Sequence, residues 1–107
     1  MLTDEQRQIV ARALPYLLHK ATWTRGAYAR DARGVDVDAE GYTAAQFCAY
    51  GALQKAAYEH KGYAGTRECP HIATELCGGR YNMTMTNDVW VIGRWLVIWM
   101  FRRGLAA

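Results

Sequence analysis

Apolar residues recur at helical spacing in the first part of the chain. Thr3 followed by Gln6 forms a capping box, a helix start signal. The apolar positions that follow share one helix face: Ile9, Val10, Ala13, Leu14, Leu17 and Leu18. Because this stripe continues beyond Pro15, we expect the proline to bend the helix rather than end it. The pattern predicts a first helix over residues 3–20.

The next segment, residues 23–38, loses helical periodicity and carries turn signals. Tyr28, Arg30, Val35 and Val37 indicate short extended stretches joined by a turn that ends at Gly34. Two short strands are marginal on their own. We therefore expect a small β-hairpin or ordered loop that packs against the helices.

A second helix is predicted from a Thr43 cap to about His60, with a stripe of small side chains: Cys48, Gly51, Ala52 and Ala56. A glycine inside a helix costs about 1 kcal/mol relative to alanine. We expect close packing against another helix to compensate for this cost. A third, shorter helix over residues 67–77 ends at Gly78-Gly79, a typical C-terminal stop.

The last predicted helix is apolar nearly all round. We expect Thr86 or Asn87 to cap this helix, which reaches residue 103. In the connector before it, Met83 and Met85 are expected to alternate inward. Four helices in a chain of 107 residues cannot surround one of their number. We therefore expect its outer face to pair with a second copy of the chain. The predicted interface residues are Trp90, Trp95, Trp99 and Phe101.

These patterns together predict a mainly α fold, a compact four-helix domain over residues 1–107 with the hairpin or loop between helices 1 and 2. The apolar run of residues 89–101 is shorter than the roughly 20 residues of a membrane span. The acidic start of the chain is unlike a signal peptide, and three cysteines do not suit a secreted disulfide framework. We expect a cytoplasmic protein with free thiols.

The net charge of +3 is mild, and the basic residues are dispersed along the chain. Dedicated nucleic-acid-binding domains are typically more basic and cluster their charge. This favours a protein without a nucleic-acid partner. The alternative, a weak nucleic-acid binder, would use Arg25, Arg30, Arg33, Arg80, Arg94, Arg102 and Arg103.

Cysteine is the first residue type to consider for chemistry. Cys48 lies about five residues beyond the predicted Thr43 cap, with no histidine near in sequence, which favours a small buried hydrophobe over a nucleophile. Cys69, His71 and Cys77 match no common zinc spacing. We expect neither a metal nor another cofactor.

Two polar dipeptides, Arg30-Asp31 and Asn87-Asp88, are the more promising set. If their loops meet, Arg30 can bridge to Asp88 while Asn87 caps a helix. This arrangement is either a structural salt bridge or a small polar pocket roofed by Trp23 or Trp90, where perturbed carboxylates do acid–base chemistry. The candidate binding residues are Trp23, Arg30, Asp31, Asn87 and Asp88. The candidate catalytic residues are Cys48, Asp31 and Asp88.

Three motifs carry a resemblance to a known family. They are Trp23-Thr24-Arg25-Gly26-Ala27-Tyr28-Ala29-Arg30-Asp31 followed by Gly34, then Phe47-Cys48-Ala49-Tyr50-Gly51-Ala52-Leu53, then Asn87-Asp88. Over roughly residues 14–105 the chain resembles a family of small bacterial and phage proteins known only as a domain of unknown function. The resemblance implies no activity. It implies that the motif residues belong together, and a phage or mobile-element origin.

The sequence favours a small non-enzymatic protein-interaction or regulatory protein that dimerises through its last helix. Two alternatives remain open. One is a small hydrolase-like enzyme that uses Cys48 with Asp31 or Asp88. The other is the weak nucleic-acid binder.

Overall fold

The structure, a computed structural model, describes residues 1–79, 82–89 and 92–106. It confirms a mainly helical fold with a small antiparallel hairpin between the first two helices. The helices are α1 (Asp4–Leu18), α2 (Ala49–Thr66), α3 (Cys69–Leu76), α4 (Met83–Asn87) and α5 (Gly93–Ala106). The strands are β1 (Ala29–Asp31) and β2 (Ala44–Phe47), and a 3-10 turn at Lys20–Thr22 follows α1. The sequence predicts four helices, whereas the described residues form five.

The core lies where α1 packs against α2 and α5. The α1 stripe is confirmed, with its central residues fully buried: Ile9, Val10, Ala13 and Leu17. The Thr3 hydroxyl accepts a hydrogen bond from Gln6 N at 3.1 Å, and Gln6 Oε1 accepts one from Thr3 N at 2.9 Å. Pro15 lies within α1, as predicted. The Cα radius of gyration is 12.3 Å, typical of a compact chain of this length.

The partner strand of β1 differs from the prediction. Residues 44–47, predicted as the start of the second helix, form β2 and place Ala29 opposite Phe47. As a strand residue, Phe47 is buried against the ring of Tyr16, with ring centroids 4.7 Å apart. The predicted return stretch makes only one bridge to β1, between Arg30 and Asp36. The Thr43 cap is therefore wrong, because core packing of Phe47 favours extended backbone at this point.

Helix α2 begins instead after Cys48, whose Sγ accepts a hydrogen bond from Gly51 N at 3.3 Å. The small residue Gly51 does allow a close approach, but to the backbone of Tyr28, the residue before β1, rather than to a helix. A Cβ at this position would lie 1.8 Å from the carbonyl oxygen of Tyr28. Further along this helix, Ala52 and Ala56 are fully buried, at 0% exposure.

The chain between α3 and α5 also differs from the prediction. The stop after α3 is confirmed, because Gly78 and Gly79 both have positive φ. However, the predicted connector forms α4, with Met83 buried and Met85 exposed. Asn87 ends this short helix rather than capping the last one. Its side chain cannot cap α5, because it is held by the tertiary hydrogen bonds described below.

None of the helices in the described ranges has the length and hydropathy needed to cross a membrane. All three cysteines, Cys48, Cys69 and Cys77, are buried and free, as predicted.

Candidate functional site

Asn87 is the centre of a buried polar network. Its side chain has no exposed surface. The Oδ1 atom accepts hydrogen bonds from Trp23 Nε1 at 2.8 Å and from Ala49 N at 3.0 Å. The Nδ2 group donates to Thr24 O and to Asp88 Oδ1, both at 3.1 Å. A side-chain amide can accept two and donate two hydrogen bonds, so Asn87 is fully satisfied.

The network joins three parts of the chain that are distant in sequence. Trp23 and Thr24 precede the hairpin, Ala49 opens α2, and Asn87 ends α4. Since buried amides are costly unless they are paired, this satisfied arrangement stabilises the fold and specifies how the three segments meet. The motif residues Trp23 and Asn87 do belong together, as the resemblance implies.

Asp88 has a different partner from the one expected. Its Oδ1 accepts a hydrogen bond from the backbone N–H of Gly26 at 3.1 Å. The predicted Arg30–Asp88 bridge is wrong, because Arg30 forms its ion pair with Asp36 at 3.4 Å. The loops do meet, but through the backbone at Gly26. Asp36 lies on the same hairpin as Arg30 and is the nearer carboxylate for its guanidinium.

Asp31 serves the hairpin turn. Its Oδ1 accepts hydrogen bonds from the N–H groups of Val35 and Arg33, each at 2.9 Å. The backbone hydrogen bond from Val35, followed by that from Arg33, lowers the pKa of this carboxyl group. Asp31 is therefore a turn residue and is not part of the Asn87 network.

Cys48 lies directly beneath this network, one residue before Ala49. Its thiol has no exposed surface, and burial raises its pKa despite the hydrogen bond from Gly51 N. A nucleophilic cysteine needs an accessible thiolate. The geometry therefore gives Cys48 a packing and capping role, and it gives no support to the hydrolase-like alternative.

Several arginines of the nucleic-acid alternative are engaged within the fold. Arg94 donates to the carbonyl oxygens of Leu17 and Leu18, at the end of α1, at 2.8 and 2.9 Å. Arg103 donates to Leu76 O, at the end of α3, at 3.0 Å. Guanidinium groups at helix C-termini satisfy carbonyls that lack intrahelical partners. Arg80 lies outside the described residues.

An exposed apolar face, which we define as Val89, Ile92, Trp95, Leu96 and Trp99, comprises the outward side of α5 and two residues that precede this helix. Trp95 and Trp99 are 59% and 56% exposed. The opposite side of the helix is buried, and Phe101 lies there with no exposed surface. Its assignment to an interface is therefore wrong, whereas Trp90 lies outside the described residues.

Two cation–π contacts hold the indoles of this face. Arg94 stacks over Trp95 and Arg103 over Trp99, each with the guanidinium carbon 4.7 Å from the ring centroid. Because both guanidinium groups are also anchored to helix-end carbonyls, the two tryptophan rings are fixed while remaining exposed.

A third feature, which the sequence analysis did not find, lies beside Tyr28. Cavities of about 300 and 390 Å³ both contact Tyr28 and Thr84. Tyr50 lines the first, with its ring centroid 5.6 Å from that of Tyr28. The signal available in the sequence was the tyrosine inside each of the first two motifs.

A model of the family of unknown function DUF6197 matches residues 1–101, so the chain belongs to that family. Comparisons with curated proteins and with solved structures gave no match. Within the described ranges, no group of three or more histidine, cysteine or acidic residues is arranged to hold a metal ion.

Proposed function

We propose that this member of a family of unknown function acts by protein association rather than catalysis, and that two copies pair through the exposed apolar face of α5. The observation that carries the proposal is the exposure of Trp95 and Trp99, 59% and 56%, on a helix whose other side is core. Exposed aromatic patches of this kind are typical of association sites.

The spacing of the face suits another helix. Trp95, Leu96 and Trp99 lie along one side of α5. Ile92, directly before this helix, extends the same spacing and accepts a backbone hydrogen bond from Leu96 N at 3.0 Å. An identical helix offers a complementary stripe about a two-fold axis. With the axis between Trp95 and Leu96, Ile92 meets the second copy's Trp99.

The charge distribution favours an antiparallel arrangement of the two α5 helices. Arg102 and Arg103 lie in the last turns of α5. Antiparallel helices keep these basic ends apart, whereas parallel helices would bring them together at a cost in repulsion. Antiparallel pairing also aligns the two helix dipoles favourably.

The size of the face favours a weak dimer. One aromatic side chain offers on the order of 150–250 Å², so the two half-exposed indoles and their neighbours reach about the 300–600 Å² of large monomer patches. A standard stable interface buries about 800 Å² per partner. Because cation–π contacts already hold the two tryptophan rings, less side-chain entropy is lost when two copies pair. We therefore expect dimers that form in the micromolar range and dissociate on dilution.

Sedimentation velocity over about 1 to 100 µM tests this proposal. The wild-type chain should shift from monomer to dimer across this range. The Trp95→Ser, Trp99→Ser double variant should stay monomeric, because it removes most of the apolar surface. Tyr42→Ser is the matched control, since Tyr42 is 98% exposed but lies off the face; it should dimerise like the wild type. A wild-type chain that is monomeric throughout would refute the proposal.

A further inference from the structure

The two cavities beside Tyr28 adjoin each other and together form a trough. No described residue of α5 lines this trough. They share Tyr28 and Thr84, so these two residues lie where the 300 Å³ part meets the 390 Å³ part. Each part lies at the lower end of the roughly 300–1,000 Å³ of ligand pockets. The trough is thus distinct from the proposed dimer face and has the dimensions of a small-molecule site.

The aromatic floor of the trough is fixed by the backbone. Tyr28 is 52% exposed, and its ring is tilted 45° from that of Tyr50. The carbonyl of Tyr28 accepts a hydrogen bond from Cys48 N at 3.1 Å and lies against Gly51 at the start of α2. A ligand would therefore meet two rings that are already in position, with little ordering cost.

The polar groups of the lining are mostly neutral. Thr74 and Thr84 contribute hydroxyls, of which that of Thr74 already donates to Pro70 O. Asn82 contributes an amide whose Oδ1 already accepts from Met85 N. Their hydroxyl and amide groups provide both donors and acceptors. The apolar lining, which includes Pro70 and Met83, is interleaved with these groups.

The charges of the lining disfavour anions and do not select a cation. Asp36 and Asp88 line the larger cavity, and among the described residues no lysine, arginine or histidine lines either one. The two carboxylates repel a phosphate or carboxylate ligand, and the nearby Arg30 guanidinium is engaged by Asp36. Asp36 already pairs with Arg30 at 3.4 Å, and Asp88 Oδ1 already accepts from Gly26 N and Asn87 Nδ2. Carboxylates held in this way still have lone pairs to accept hydrogen bonds from hydroxyl groups.

We propose that this trough binds a neutral carbohydrate of about two sugar rings. Sugar rings carry flat C–H faces that pack on tyrosine rings, and their hydroxyl groups both donate and accept hydrogen bonds. Tyr28 is the central platform, Tyr50 is the second ring, and Asp36 and Asp88 accept hydrogen bonds from sugar hydroxyls. Each cavity has room for at least one ring, so a disaccharide that occupies both cavities would cross Tyr28.

Nuclear magnetic resonance titration of the full chain tests this inference. The probes are cellobiose, maltose and N,N′-diacetylchitobiose, each raised to about 10 mM, because shallow polar sites bind weakly. At least one disaccharide should give saturable shifts at the amides of Gly26, Tyr28 and Thr84. Tyr28→Ala should weaken that binding at least tenfold, since it removes the platform while keeping the backbone hydrogen bond.

Tyr42→Ala is the matched control, because Tyr42 is exposed but lines neither cavity; its binding should equal that of the wild type. Thr84→Val is a second variant in case Tyr28→Ala unfolds, and it should weaken binding by losing a hydroxyl shared by both cavities. Absence of saturable shifts with all three disaccharides would overturn the proposal. So would equal binding by Tyr28→Ala, or tighter binding of benzylammonium, which would indicate a cation site. A chain that is monomeric in sedimentation would leave this inference standing.

Discussion

At the scale of single residues, the fully buried side chain of Asn87 connects distant parts of the chain. Its four hydrogen bonds join the segment before the hairpin, the start of α2 and the end of α4. The sequence pattern could predict that Trp23 and Asn87 belong together. It could not predict that Asp88 accepts a hydrogen bond from a backbone N–H. The sequence offers Asp88 as a partner for Arg30, but it does not show that Asp36, on the same hairpin as Arg30, lies nearer.

Replacing Asn87 should be strongly destabilising. Asn87→Ala leaves the N–H groups of Trp23 and Ala49 without their acceptor, and each buried unpaired group costs about 1–3 kcal/mol. We expect the free energy of unfolding, measured in urea, to fall by about 3–5 kcal/mol. Asn82→Ala is the control: it removes one exposed helix cap and should cost about 1 kcal/mol. Equal losses in the two variants would contradict the role given to the network.

At the scale of elements, the apolar pattern predicts a helix correctly where one face of the helix is buried. It fails where contacts with other elements determine the backbone conformation. The α1 stripe and the glycine stop after α3 follow from local sequence. The start of α2 does not, because residues 44–47 favour a helix locally but gain more by pairing with β1 and burying Phe47. Likewise, Gly93 begins α5 where a Cβ would lie 2.2 Å from Asn87 O, which no periodicity can reveal.

The contact between α2 and Tyr28, the residue before β1, can be tested at Gly51. A Cβ there would lie 1.8 Å from Tyr28 O, so Gly51→Ala must push the hairpin away from α2. Overpacking of this kind costs about 3 kcal/mol, and we expect that loss in thermal or urea unfolding. Gly78→Ala is the control, since its Cβ would meet nothing and only its φ of 65° is unfavourable; it should cost about 1–2 kcal/mol. A Gly51→Ala chain as stable as the wild type would mean that this approach is not close.

At the scale of the whole molecule, the apolar last helix divides into a buried and an exposed side. The sequence could predict that α5 has more apolar surface than one small domain can cover. It could not assign the sides: Phe101 is in the core, while Trp95 and Trp99 are exposed and braced by arginines. Which side faces outward depends on the angle at which α5 packs against α1, and the sequence pattern does not specify this angle. The proposed pairing of two copies follows from this exposed side.

Disulfide trapping at the centre of the face tests this pairing most directly. The native cysteines are buried, so a chain carrying Leu96→Cys has one accessible thiol, placed beside the proposed two-fold axis. Under mild oxidation, Leu96→Cys should form covalent dimers much faster than the control Tyr42→Cys, whose position is exposed but off the face. Arg102→Cys should also crosslink slowly, because antiparallel helices keep their ends apart. Equal rates for Leu96→Cys and Tyr42→Cys would contradict the account.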